Sequence, residues 1–113
     1  MSSPLTTHVL DTASGKPAGG LPITLERRAG DGWTVLNSGV TNADGRVQDL
    51  MAEGEMVADV YRMRFDTGAY FALHGLQGFY PYVEVVFQVT DPSQHHHVPL
   101  LLSPFGYSTY RGS

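Results

Sequence analysis

The chain has 113 residues, 42% of them hydrophobic and 16% charged, which is enough apolar material for one globular domain over residues 1–113. Seven Lys and Arg against eleven Asp and Glu give a net charge of -4, which argues against nucleic acid or an anionic membrane as a partner. The sequence has no cysteine, so a disulfide framework and a thiolate nucleophile are excluded and any catalysis must use His, Arg, hydroxyl or carboxylate groups.

Short alternating segments separated by Gly and Pro predict strands rather than long helices. The predicted strands cover residues 5–10, 21–28, 33–40, 57–65, 82–90, 95–102 and 105–111. Turn residues lie between them at 15–20, 30–32, 42–45 and 91–93. One helix is predicted over residues 66–74, with Asp66 or Thr67 as its cap and Gly75 at its end. The pattern predicts an all-β fold, a two-sheet antiparallel β-sandwich with one short helix.

Alternation along the strands separates a core face from a second face. In the first strand His8 shares its face with Thr6 and Leu10. In the strand at 95–102 the core-facing set is Val98, Leu100 and Leu102. His97 and Pro99 then lie on the opposite face, which is too apolar for open solvent. We expect this outer face to pack against another copy of the chain in a homo-oligomer.

Three consecutive histidines, His95, His96 and His97, permit two kinds of chemistry. His95 and His97 share a face and are possible zinc ligands together with His8, if the first and seventh strands are neighbours. A neutral imidazole of His8 or His97 is alternatively a general base that takes a proton from water. A calcium site at 42–45 is rejected because the spacing of an acidic calcium-binding loop is absent. The residues alone leave the first two alternatives open.

Four other polar residues do not indicate a functional site when each is considered alone. Arg46 follows a turn, and Arg111 lies close to the last residue, so both are ordinary surface charges by this criterion. Tyr110 and Ser113 are equally unremarkable. Only their combination with the histidines suggests a site.

Together these residues resemble the transthyretin-related proteins that act as 5-hydroxyisourate hydrolases. The resemblance covers nearly the whole chain. It rests on LTTHVLD at 5–11, TNADGR at 41–46, FDT at 65–67 followed by Tyr70 and Phe71, HVPLLLSP at 97–104, and YRGS at 110–113. The closing YRGS is the specific part, because in that family it distinguishes the hydrolases from transthyretin, the thyroid-hormone carrier.

The resemblance implies a set of site residues. It places the catalytic groups at His8, Arg46, His97 and Ser113. It implies substrate contacts from His8, Arg46, His97, Tyr110, Arg111, Gly112 and Ser113. His95 and His96 receive no role, and neither a metal nor a cofactor is implied.

The implied reaction is hydrolysis of a ring amide in 5-hydroxyisourate, a small molecule of urate catabolism, to 2-oxo-4-hydroxy-4-carboxy-5-ureidoimidazoline. The family places its sites in a channel between two dimers of a homotetramer. The second function considered is a non-enzymatic carrier of a small aromatic ligand, and the third is a structural interaction domain.

The sequence also contains no apolar run near the ~20 residues that span a bilayer. Its polar first seven residues lack the hydrophobic region of a secretion signal. We therefore expect a cytoplasmic protein with no membrane partner.

Overall fold

The structure is a computed structural model that describes residues 3–113. Eight strands and one helix follow one another along this part of the chain. They are β1 (Leu5–Asp11), β2 (Lys16–Pro17), β3 (Pro22–Ala29), β4 (Gly32–Val40), β5 (Asp59–Phe65), α1 (Thr67–Leu73), β6 (Val83–Val89), β7 (His96–Ser103) and β8 (Gly106–Thr109).

The strands form two four-stranded sheets, in the orders β2-β1-β7-β8 and β4-β3-β5-β6. The two-sheet β-sandwich with one short helix is therefore confirmed. The expectation of antiparallel pairing throughout is wrong for β1 and β7, which run parallel with Leu5 opposite His96 and Asp11 opposite Leu102. Parallel neighbours need a long connection, and here the chain between β1 and β7 forms the entire second sheet.

The core lies between the sheets and is filled by alternate residues of each strand, as the sequence pattern predicts. In β1 the buried and half-buried positions alternate strictly, and in β6 Val83, Val85 and Val89 are buried. The largest fully buried side chains are Tyr61, Phe65, Phe71, Leu5, Leu21, Ile23, Leu25, Leu50, Met63, Leu100, Leu102 and Val9. Each side chain of this size stabilises the fold by about 1.5–3 kcal/mol relative to its exposed state.

Helix α1 is confirmed within one residue at each end of the prediction. Asp66 occupies the N-cap, although its side chain makes no capping hydrogen bond. Gly75, with φ of 68°, ends the helix: its N–H donates to the Ala72 carbonyl (3.1 Å), and the next amide, Leu76, donates to Phe71 (2.9 Å). This is the Schellman arrangement that favours glycine. Within residues 3–113, no helix is both long and apolar enough to cross a membrane.

The last strand is shorter than predicted, since β8 ends at Thr109 rather than at residue 111. The register pairs Leu100 with Thr109 and resumes at His97 with Gly112. Between these pairs stands Pro99, which has no N–H to donate, and the Thr109 hydroxyl donates to the Pro99 carbonyl (2.7 Å). The ladder is therefore interrupted before the final residues.

Smaller differences concern the other strand ends. The predicted turn at 15–20 contains the two-residue strand β2, which pairs with the end of β1. Strand β5 begins at Asp59 instead of residue 57. In the preceding loop the hydroxyl of Tyr61 accepts a hydrogen bond from the Val57 amide and donates one to the Val57 carbonyl, so these groups do not pair with a strand. Strand β7 begins at His96 instead of His95.

Candidate active site

The outer face of the first sheet carries both predicted histidines. Thr6 and His8 in β1 and His97 in β7 are half-buried, and the residues next to them along each strand are buried. The parallel register places Thr6 opposite His97 and His8 opposite Pro99. Because residues of the same parity point to the same side of a sheet, His8 and His97 meet on the face away from the core.

Arg46 joins this face because the turn before it packs against β1. The Asn42 side-chain oxygen accepts a hydrogen bond from the Arg46 amide (3.1 Å), and Gly45 turns the chain with φ of 74°. The Gly45 carbonyl accepts from the Val9 amide (2.8 Å), at a position where a side chain would overlap the Val9 carbonyl. The turn thus pairs Arg46 with His8 at the sheet edge, with Arg46 exposed.

The final residues, 110–113, run beside His97; we call them the tail. The Gly112 amide donates to the His97 carbonyl (2.9 Å). A Cβ at Gly112 would overlap Cδ2 of His97 and lie 3.3 Å from Cγ of Pro99, so the close approach requires glycine. Tyr110 and Ser113, on either side of this contact, are exposed. The tail therefore borders the imidazole of His97.

The surroundings of His97 favour its neutral form. Burial lowers the pKa of His97 below its ordinary value of 6.5, and the positive charge of Arg46 lowers it further. His95 and His8 act in the same direction, while hydrogen bonding to Thr6 raises the pKa. The face thus combines an imidazole that is neutral near pH 7 with a fixed cation. Such a pair is able to accept a proton from water and to stabilise negative charge on an oxygen.

Thr6 lies between two histidines and is the residue that the sequence analysis missed. Its Oγ1 is 2.8 Å from Nδ1 of His97 and 2.9 Å from Nε2 of His95. Its place on the face of His8 was visible in the sequence. Its contact with His97 depends on the parallel register of β1 and β7, for which the sequence gives no local signal.

The side chains of Arg111 and His96 do not lie with the others on the outer face. The guanidinium of Arg111 turns to the loop before β7, where it donates to the Gln94 side chain (3.2 Å) and to the His95 carbonyl (3.5 Å). His96 is buried on the core face, with its Nδ1 2.8 Å from the Gln94 carbonyl. A substrate contact from Arg111 stays a prediction, and its position does not favour it.

The alternative metal site gains no support from the arrangement of the histidines. Within residues 3–113, no group of three His, Asp or Glu side chains lies close enough together to hold a metal ion. His95 and His97 instead both contact Thr6.

The face is open in the single chain, and its groups border separate clefts. One cleft is lined by His97 and Tyr110 together with β6 residues such as Phe87. Another is lined by Thr6 and Arg46 together with the loop that follows Arg46. The first cleft also reaches the core-facing residues His96 and Val98, so it opens at the edge between the two sheets and is separate from the second.

Comparison with known proteins identifies the family. The model of the HIUase/Transthyretin family matches residues 5–112. The chain belongs to this family. It is 52% identical to the 5-hydroxyisourate hydrolase of Mus musculus over 114 aligned positions, which cover 99% of this chain and 97% of the mouse protein.

Two solved structures show how the HIUase/Transthyretin fold is shared. The 5-hydroxyisourate hydrolase of Klebsiella pneumoniae superimposes with a TM-score of 0.84 at 36% identity, covering 96% of this chain and 98% of that one. Sea bream transthyretin in complex with thyroxine superimposes with a TM-score of 0.91 at 39% identity, covering 96% and 94%. An enzyme and a transthyretin thus share this fold, so function must be argued from the site.

Proposed function

We propose that this chain is a 5-hydroxyisourate hydrolase, which opens a ring amide of 5-hydroxyisourate to give 2-oxo-4-hydroxy-4-carboxy-5-ureidoimidazoline. One observation carries the proposal: the outer face joins His97, His8 and Arg46, and the tail lies against His97. Similarity to the hydrolases of Mus musculus and Klebsiella pneumoniae supports the same substrate.

His97 is the general base of the proposed reaction. Its lowered pKa keeps the ring neutral at neutral pH, and no hydrogen bond within the described residues occupies Nε2, the nitrogen that takes the proton in this proposal. His97 removes a proton from water while the water oxygen bonds to the ring carbonyl carbon. The carbon–nitrogen bond then breaks, and the ring nitrogen leaves with a proton. General-base catalysis of this kind contributes roughly 10²–10⁴-fold.

Arg46 and His8 bind the substrate on the other side of the reacting carbonyl. The guanidinium of Arg46 is a permanent cation, suited to the charge that develops on the carbonyl oxygen as water attacks. His8 lies beside it through their backbone pairing. This step requires no cofactor and no metal.

Tyr110 and Ser113 complete the site in this proposal. Both are exposed beside the contact between Gly112 and His97, so their hydroxyls are available to hold water or substrate in the attack geometry. Arg111 contacts the neighbouring loop, and its contact with the substrate stays a prediction.

The assembly that we propose is a homotetramer, a dimer of dimers with the sites between the dimers. In the single chain the clefts beside His97 and Arg46 are open. A second copy packed on the outer face would enclose the substrate between the two chains. The proposed location is the cytoplasm.

A carrier of a small aromatic ligand is the second function to test, because a thyroxine-bound transthyretin superimposes closely on this chain. A carrier has no need of a neutral imidazole beside an arginine. The two functions differ in a simple way: an enzyme turns its ligand over, and a carrier holds it unchanged.

The test mixes urate, urate oxidase and the purified chain and follows the absorbance of 5-hydroxyisourate against its spontaneous decay. Acceleration at substoichiometric protein supports the hydrolase. Stoichiometric binding of a small aromatic ligand by equilibrium dialysis, with no acceleration of decay, would identify a carrier and contradict the proposal.

A further inference from the structure

The hydroxyl of Thr6 contacts a ring nitrogen of two histidines at once, Nδ1 of His97 and Nε2 of His95. A threonine hydroxyl has one proton to donate, together with lone pairs that accept. Thr6 has no other side-chain hydrogen-bond partner among residues 3–113, so within this group its proton goes to one ring and a lone pair accepts from the other. The proton positions of the two histidines are therefore linked.

Two arrangements satisfy this link when both rings are neutral. In the first, His97 carries its proton on Nδ1 and donates to Thr6, while Thr6 donates to Nε2 of His95. In the second, each of these hydrogen bonds is reversed, and His97 carries its proton on Nε2. Only the first leaves a lone pair on Nε2 of His97, the atom that has no hydrogen-bond partner among residues 3–113.

We propose that Thr6 and His95 are positioning residues that hold His97 in the first arrangement, with its Nε2 lone pair directed at the substrate. This inference rests on the proposed role of His97 as general base. When Nε2 takes a proton from water, the ring becomes an imidazolium whose Nδ1–H needs an acceptor. In the first arrangement Thr6 already presents its oxygen to Nδ1, so no group has to reorient during the step.

His95 completes the arrangement because its Nε2 has to accept the Thr6 proton. That requires a neutral His95 with its own proton on Nδ1. A protonated His95 would donate from Nε2, and Nδ1 of His97 would then be the one ring nitrogen left to accept the Thr6 proton. His95 therefore acts on the reaction through Thr6 without touching the substrate.

The loop that carries His95 is held in place from two directions. Arg111 donates to the Gln94 side chain and to the His95 carbonyl. His96, buried beneath the loop, lies with Nδ1 2.8 Å from the Gln94 carbonyl. These contacts give the tail a second connection to the site: Gly112 touches His97, and Arg111 supports the segment behind it.

The decisive measurement is the tautomer of His97, read from ¹⁵N and ¹H NMR of the histidine rings in the full-length chain at neutral pH. The signals are assigned with His8→Gln and His95→Gln variants. The expected result is a proton on Nδ1 of His97 in the wild type, and a shift towards the Nε2-protonated form in Thr6→Val. A wild-type His97 that is mainly Nε2-protonated, or no change in Thr6→Val, overturns the proposal.

Kinetics on 5-hydroxyisourate provide the second readout. Thr6→Val keeps the branched shape and removes the hydroxyl, so kcat should fall by about tenfold to a hundredfold with little change in KM. Thr6→Ser restores the hydroxyl and should return kcat close to the wild-type value. Thr34→Val, on the exposed face of the other sheet, is the matched control and should leave kcat unchanged.

A double-mutant cycle tests the path from His95 through Thr6. His95→Leu should lower kcat in the wild-type background and have no further effect in Thr6→Val. Additive losses would show that His95 acts independently and would overturn its assigned role. If the wild type fails to hydrolyse 5-hydroxyisourate, the proposed function fails, while the NMR comparison still decides whether Thr6 sets the tautomer of His97.

Discussion

His97 combines two properties that a general base near neutral pH requires. Burial and the charge of Arg46 both lower its pKa, so the imidazole is neutral and one ring nitrogen is able to accept a proton. The backbone holds the ring between β1 and the tail, because Thr6 is opposite it on one side and Gly112 on the other. In the proposed reaction, the cation that lowers the pKa is also the partner for negative charge on the substrate.

The first prediction concerns pH. Activity should require neutral His97, so kcat/KM should stay constant through neutral pH and fall only below the lowered pKa of that residue. Arg46→Gln removes a positive charge that disfavours imidazolium, so the pKa of His97 should rise and the acidic limb of the profile should move to higher pH. Arg46→Lys keeps the charge and should leave the limb in place. An unmoved limb in Arg46→Gln would contradict the electrostatic link between the two residues.

The second prediction concerns Gly112. In Gly112→Ala the added methyl group would overlap Cδ2 of His97, so the ring or the tail has to move, and turnover should fall by roughly tenfold or more because catalytic geometry is sensitive to small displacements. Gly106→Ala is the control, since its Cβ would meet only Oγ of Ser103 at 3.8 Å. Equal rates in the two variants would show that the close approach has no catalytic purpose.

Among the strands, alternation in the sequence predicted which residues share a face, because parity is a local property of each strand. It placed His8 and Thr6 together on one face of β1 and His97 on the face of β7 opposite its core-facing residues. Alternation could not predict the parallel pairing of β1 and β7, because these strands are about ninety residues apart and no turn joins them to set the register. The contact between Thr6 and His97 depends on that register and was missed for the same reason.

The tail shows a second limit of the sequence pattern. A continuous strand to residue 111 was predicted from alternation alone, whereas Pro99 in the neighbouring strand interrupts the pairing before that point. The interruption comes from a partner strand that is not visible in the local pattern. It frees Arg111 to turn to the loop that carries His95.

The third prediction tests the tail as an element. Deleting residues 111–113 removes no buried core side chain, so the melting temperature should change little while turnover of 5-hydroxyisourate falls strongly. A bulky extension after Ser113 should also lower turnover, whereas the same extension before the first residue serves as the control. Normal turnover in the deletion variant would exclude the tail from the site.

At the scale of the whole molecule, the sandwich by itself does not select a function. Sea bream transthyretin superimposes on this chain more closely than the hydrolase of Klebsiella pneumoniae, with TM-scores of 0.91 and 0.84. The distinction between an enzyme and a carrier therefore has to be sought in the side chains of the site. These side chains belong to the sequence motifs at 5–11, 41–46, 97–104 and 110–113.

The fourth prediction is the assembly. Because the outer face is half-apolar and its clefts are open, light scattering after size exclusion should give the mass of four chains. Leu101→Glu, which puts a charge on the half-buried outer face of β7, should reduce that mass and lower turnover together. A wild-type mass of one chain would contradict the proposed site between dimers.

The fifth prediction tests directly whether the outer-face cluster hydrolyses 5-hydroxyisourate. Freshly generated 5-hydroxyisourate is mixed with wild type, His97→Ala or His74→Ala, the last removing an exposed histidine at the end of α1, and its absorbance decay is compared with the spontaneous rate. Wild type and His74→Ala should accelerate decay equally, and His97→Ala should be slower by about 10²-fold or more. Decay at the spontaneous rate with the wild type, or full activity in His97→Ala, would contradict the proposed hydrolysis at this site.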